Sequence, residues 1–156
     1  MNVTPITQKG YDKLRSKLTD LNNELKELPK IIGAAREKGD LKENAEYHAA
    51  REKQGLLNAH ITKINSDLAR ARVIDPKALP QDTVTFGKVV TLTDLASQEI
   101  QTYHIVGPAE TEFFKHGLSM HSELAKALLA KKKGDQITVI VPSGKNQYKI
   151  EEVSVI

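Results

Sequence analysis

Residues 14–35 read LRSKLTDLNNELKELPKIIGAA, and the spacing of their apolar positions decides the fold. Leu14, Leu18, Leu21, Leu25, Leu28, Ile32 and Ala35 recur at steps of four and three. That is the narrow seam of a coiled coil, not the broad stripe of a helix lying on a large core. After a break, Ala50, Gln54, Leu57, Ile61, Ile64, Leu68 and Ala71 repeat the alternation. Two seams of equal length bury each other, so an antiparallel helical hairpin is expected. Gly39 and Asp40 read as a helix stop followed by a helix start, with room only for a tight reversal. From Thr7 to Lys38, at 1.5 Å per residue, the hairpin would project about 48 Å and carry the reversal at its far end. Pro29 removes one helical hydrogen bond and clashes with the carbonyl of Leu25, at roughly 3 kcal/mol. The seam keeps its phase across Pro29, which favours one bent helix. The competing arrangement is a loop near Leu28 and Pro29 inside a three-helix bundle.

Outward from the hairpin the character changes. Residues 1–75 carry 14 basic and 11 acidic side chains, and the remainder carries 9 of each, so the whole net charge of +3 lies in the helical part. The prolines between Asp75 and Gln81 mark residues 76–82 as a linker. Beyond it, Val84 to Asp94 and Glu99 to Val106 read as paired strands, and Ser122 to Lys133 as a helix. Ser122 would be its N-cap, Lys131, Lys132 and Lys133 would lie at its negative end, and Gly134 at C′. Gln136 to Val141 and Gln147 to Val155 should pair across a turn containing Ser143 and Gly144. The expected class is α+β: a coiled-coil hairpin over residues 1–75, then a small globular domain over residues 83–156.

Composition removes several functions. The 156 residues contain no cysteine, which excludes disulfides, thiolate metal sites and thiol nucleophiles. No apolar run approaches the roughly 20 residues that span a bilayer, and the first residues lack a signal pattern, so a cytoplasmic protein without membrane contact is expected. The five histidines show no metal-binding spacing, and neither a phosphate-cradling glycine loop nor a nucleophilic triad stands out.

The chemistry, if any, lies at the reversal. Asp40 and Glu43 have the spacing of a capping box, in which each carboxylate satisfies a backbone donor at the helix start. The same geometry turns two carboxylates outward as weak ligands for a hard cation such as Mg²⁺. Such a site would be half a site, completed by a partner's catalytic centre.

Gly39-Asp40-Leu41-Lys42-Glu43-Asn44-Ala45-Glu46-Tyr47-His48-Ala49-Ala50-Arg51-Glu52 resembles the tip signature of the bacterial transcript cleavage factors of the GreA/GreB family, on the GreA side. The resemblance runs on through Thr7-x-x-Gly10, Pro29-Lys30-Ile31-Ile32, Val73-Ile74-Asp75, Phe86-Gly87, Ile105-Val106-Gly107, Ala127-Leu128-Leu129 and Gly134-Asp135. It implies a factor that enters the secondary channel of bacterial RNA polymerase and stimulates the polymerase's own cleavage of nascent RNA in backtracked complexes. By the same resemblance Asp40 and Glu43 organise a Mg²⁺ shared with the polymerase, none being tightly bound to the isolated chain. The resemblance also makes Asn44 and Tyr47 tip-supporting positions that contact the active centre or RNA. The resemblance further implies an FKBP-like C-terminal domain that docks on the channel rim, with Ser119, Ser122, Glu123 and Leu124 as the candidate docking residues.

Glu123 stands where the family usually has proline, and Ala130 where glycine is common. Arg36, Lys38, Lys42, Arg51 and Lys53 are candidates to grip the nascent RNA 3′ end, or else a solvated face with acidic residues interspersed. The chain is expected to act as a monomer and not as an enzyme. Two other readings remain: a channel-binding inhibitor that blocks nucleotide entry without promoting cleavage, and a plain coiled-coil interaction module with a chemically silent tip.

Overall fold

The computed structural model describes residues 2–40 and 44–156. Its elements are β1 (Thr4–Ile6), α1 (Gln8–Arg36), α2 (Ala45–Arg70), β2 (Ala71–Val73), β3 (Lys88–Asp94), β4 (Ile100–Val106), β5 (Gly117–Ser119), α3 (Glu123–Leu128), β6 (Gln136–Val141) and β7 (Gly144–Val155). The class is α+β, with two long helices near the N-terminus and a curled sheet after them.

Two compact units are present, Asp12–Arg70 and the pair of segments Met1–Tyr11 and Ala71–Ile156. The sequence suggested one division near residue 75. The contacts divide the chain twice, because β1 pairs in parallel with β2, Thr4 opposite Ala71 and Ile6 opposite Val73. The first eleven residues therefore belong with the sheet. Residues expected to form a linker are locally closed: Pro76–Ala78 make one 3₁₀ turn whose cap is Asp75, its carboxylate accepting from the Lys77 amide at 3.0 Å.

In the helical unit, α1 continues unbroken through Pro29, which excludes the three-helix alternative. The proline ring lies on the exposed side, while Leu28 beside it is buried. Along the seam, Leu14, Leu28, Ala35, Ala50, Leu57 and Ile64 are buried, and the other quoted positions are half-buried. Contacts pair Glu24 with Lys53 at 2.7 Å and Ala35 with Asn44, rising along one helix as they fall along the other, so the helices are antiparallel. The Glu24–Lys53 pair is about half exposed and contributes at most about 1 kcal/mol. Seam burial, at roughly 1.5–3 kcal/mol per large apolar side chain, dominates. Ala71, the last expected seam residue, lies in β2, outside the helix.

In the other unit the strand order is β5-β4-β3-β7-β6. The two expected hairpins are present, β3 antiparallel to β4 with Lys88 opposite Ile105, and β6 antiparallel to β7 across the two residues Pro142 and Ser143. Val90, Leu92, Ile105, Ile137, Val139 and Ile150 form one core with Ala125 and Leu128 of α3.

Two expectations fail here for one reason. β3 begins at Lys88, not Val84, and α3 ends at Leu128, not Lys133. The Val84 amide donates to the Lys131 carbonyl at 2.8 Å, and the Ala130 amide to the Val84 carbonyl at 2.9 Å. This pairing consumes backbone groups that either element would need to lengthen. The three lysines are consequently not a helix-terminal cluster, and Gly134 is not its C′ residue but precedes β6, its amide donating to the Ile150 carbonyl at 2.7 Å.

Ala130 takes the left-handed position after α3, with φ of 67°. For an L-residue with a Cβ that region costs roughly 1–2 kcal/mol, so the glycine common there in the resembling family has a physical reason. Ala130→Gly should therefore stabilise the chain by about 0.5–1 kcal/mol, since glycine's greater unfolded-state entropy offsets part of the relief. Thermal unfolding should show Tm rising by a few degrees; an unchanged or lower Tm would remove the strain argument.

The start of α1 is fastened to the sheet unit by a buried carboxylate that sequence analysis did not single out. Glu110 is 0% exposed. Its oxygens accept from the Thr7 amide at 3.0 and 3.1 Å, from the Thr7 hydroxyl, and from the Gly107 amide at 2.9 Å. The Thr7 hydroxyl in turn accepts from the Gly10 amide at 3.0 Å, the N-cap to N3 bond of α1. A Cβ at Gly10 would stand 2.2 Å from a Glu110 oxygen, and one at Gly107 would stand 2.1 Å from the Pro5 carbonyl oxygen. Both motif glycines thus mark close approach. Burial pushes the Glu110 carboxyl above its ordinary value of 4.5, against the opposing effect of the bonds from Thr7 and Gly107.

Candidate functional site

The connection between α1 and α2 runs from residue 37 to residue 44. Leu41, Lys42 and Glu43 lie outside the described residues. One of the two candidate carboxylates and one candidate RNA contact therefore fall there.

At the close of α1, the Glu37 amide donates to the Gly33 carbonyl at 3.3 Å, and the Lys38 amide to the Ala35 carbonyl at 3.1 Å. These bonds satisfy two of the carbonyls that every helix leaves over at its C-terminus. Helix α1 ends at Arg36, two residues before the expected end, and α2 starts at Ala45 rather than after Asp40. Asp40 is therefore not the residue from which α2 starts, and the Glu43 half of the expected capping box lies outside the described residues. Asn44 occupies the N-cap position, its Oδ1 accepting the Tyr47 amide at 3.1 Å. Asn and Asp are about equally good caps, and the contact of the Asn44 side chain with the Ala35 carbonyl accompanies the later start.

Asp40 is exposed in the connection. It lines an open hollow of about 370 Å³ with Lys38, Gly39, Asn44, Ala45 and Glu46. Lys38 pairs with Glu46 at 2.9 Å across this hollow, balancing one charge of each sign. Tyr47 is half-buried, its ring centroid 5.8 Å from the Arg36 guanidinium carbon and 5.5 Å from the His48 ring. Aromatic and cationic contacts thus lace the end of one helix to the start of the next. Sequence periodicity carried no signal for them.

The other two described basic candidates also have intramolecular partners. Lys53 pairs with Glu24, and Arg51 donates to the Gln54 side chain at 3.3 Å. Such surface contacts exchange readily with solvent or an incoming phosphate. Among the described residues, no three His, Asp or Glu side chains gather as a metal site. The chemistry of the donors still suits a hard divalent ion, which binds through one or two carboxylates while keeping several waters.

The four docking candidates run from the end of β5 into the first turn of α3. Ser119 ends β5, and its Oγ accepts the His121 amide at 3.1 Å. Ser122 caps α3 as expected, accepting the Ala125 amide at 3.2 Å. Leu124 packs against the core. Glu123 is the one facing solvent, its side chain 79% exposed and 3.8 Å from Lys126. The serines shape the segment, and Glu123 offers its charge outward.

No helix among the described residues is long and apolar enough to cross a membrane. The family model described as the transcription elongation factor N-terminal domain of GreA/GreB matches residues 4–73, and the model of the GreA/GreB C-terminal domain matches residues 79–155. The chain is 45% identical to transcription elongation factor GreA of Maridesulfovibrio salexigens over 153 residues, covering 98% of this chain and 96% of that protein. It is 43% identical to transcription elongation factor GreA of Halorhodospira halophila, covering 98% of each. Among solved structures it is similar to GreA factor homolog 1 of Thermus thermophilus, with 26% identity, coverage of 98% and 99%, and a TM-score of 0.46. With both domain models matched in order and curated relatives aligned along nearly their whole length, the chain belongs to the GreA/GreB family of transcription elongation factors.

Proposed function

We propose that this chain inserts its helical hairpin into the secondary channel of bacterial RNA polymerase and stimulates the polymerase's intrinsic endonucleolytic cleavage of nascent RNA in backtracked or arrested complexes. It is not itself the hydrolase. The observation carrying this reading is the exposed Asp40 in the connection between the helices, with the cap of α2 supplied by Asn44 instead. Its exposure puts that carboxylate within reach of a catalytic partner. Asp40 and Glu43 would hold a Mg²⁺ together with polymerase groups. Bound there, the ion would stabilise the attacking and leaving oxygens of phosphodiester hydrolysis. Arg36, Lys38, Lys42, Arg51 and Lys53 would attract the RNA 3′ segment, and the surface around Ser119, Ser122, Glu123 and Leu124 would dock on the channel rim. The factor works as a cytoplasmic monomer.

The test uses halted polymerase complexes carrying RNA labelled at its 5′ end. Addition of the chain should shorten the RNA in the presence of Mg²⁺. The chain without polymerase should leave RNA intact and show no micromolar Mg²⁺ affinity in calorimetry, because two carboxylates and water bind the ion weakly. Slower nucleotide addition without cleavage would favour the channel-blocking reading. Micromolar Mg²⁺ binding by the isolated chain would contradict the half-site.

A further inference from the structure

Asn44 makes two bonds that no other cap residue could make together. Its Oδ1 accepts the Tyr47 amide, satisfying a donor at the start of α2, while its Nδ2 donates to the Ala35 carbonyl at the end of α1. The Ala35 carbonyl also accepts the Lys38 amide. One side chain therefore ties the last turn of one helix to the first turn of the next, across the segment that contains Asp40. Serine and aspartate can act as N-caps but have no amide donor, and aspartate would bring a negative charge against a carbonyl oxygen.

We propose that Asn44 is a positioning residue for cleavage stimulation: it clasps the two helix ends so that Asp40 is presented in one geometry, and it touches neither RNA nor metal. This rests on the function proposed above. Outer-shell groups bonded directly to a metal ligand change metal use about 10–100-fold when lost, and Asn44, which acts on Asp40 only through the backbone it ties, should fall at the low end of that range. The contacts of Arg36 with Tyr47 and Lys38 with Glu46 lace the same ends, but both involve long, mobile cationic side chains. The amide clasp comes from a side chain with only two rotatable bonds and is directional.

Asn44→Asp separates the two bonds, since it keeps the cap and loses the donor. In the isolated variant, hydrogen exchange should leave the Tyr47 amide as protected as in the parent chain and accelerate exchange of the Lys38 amide. In halted complexes the variant should compete for polymerase as the parent does, yet need about tenfold more Mg²⁺ for half-maximal cleavage, with excess Mg²⁺ recovering most of the rate. An unchanged Mg²⁺ requirement would overturn the proposal. So would a loss of cleavage that excess Mg²⁺ does not recover, which would place Asn44 in direct contact with the reacting groups. Asn44→Ser, which also keeps the cap, should behave as the aspartate variant does. A failure of the parent reading is recognised separately, by a chain lacking the Asp40 and Glu43 charges that still promotes cleavage.

Discussion

Asp40→Asn combined with Glu43→Gln should abolish cleavage stimulation while leaving the fold and polymerase binding intact. Each substitution keeps size and hydrogen-bonding capacity and removes one negative charge. The cap of α2 is Asn44, and Asn at position 40 keeps a hydrogen-bonding side chain of the same size where Asp40 stood. Surface changes of this kind stay within about 0.5 kcal/mol, so Tm should hold. The chemical effect is much larger. Removing a group that stabilises developing charge typically lowers a rate by about 10²–10³-fold, and the only carboxylates assigned to the shared ion are these two. RNA cleavage in halted complexes, measured alongside competition for polymerase, checks the expectation. Unchanged cleavage would make the carboxylates bystanders and refute the proposed function, whereas lost competition would show that the charges serve docking.

Gly10→Ala should strongly destabilise the chain. The new Cβ would meet the Glu110 carboxylate at 2.2 Å, and the carboxylate has nowhere to retreat without leaving the amides of Thr7 and Gly107. Overpacking and broken buried bonds together should cost about 2–4 kcal/mol, lowering Tm by on the order of 10 °C. Glu110→Gln tests the charge apart from the volume. Burial raises the folded-state pKa above 4.5, so the folded chain holds the extra proton between 4.5 and that raised value. The contribution of Glu110 to stability is therefore greatest below the unfolded pKa and is lost as pH rises through the folded one, a window that Glu110→Gln should flatten. A carboxyl resonance titrating at or below 4.5, or a Gly10→Ala chain as stable as the parent, would contradict this account of the clamp.

The α1 clamp and the Asn44 clasp show where sequence reasoning stops. The seam from Leu14 to Ala35 and its repeat from Ala50 were legible because helical burial follows a period that neighbours alone define. The two β-hairpins were legible for the same reason, since turn residues and alternation are local. The signature from Gly39 to Glu52 pointed to the family before any contact was known. Glu110 was invisible: its partners Thr7 and Gly10 lie about a hundred positions away, and nothing local distinguishes a buried glutamate from a solvated one. The short parallel pairs β1 with β2 and β4 with β5 were missed because three residues carry no period.

By itself, then, the chain's pattern determined a paired-helix hairpin, a small sheet with α3 packed on it, and two acidic residues at the reversal. Only tertiary structure decided which residue caps α2, where α3 stops, and that the first eleven residues belong with the sheet. Each of these choices lay between local alternatives of nearly equal energy. A single long-range bond, from Asn44 to Ala35, from Val84 to Lys131, or from Thr7 to Glu110, is enough to settle such a choice.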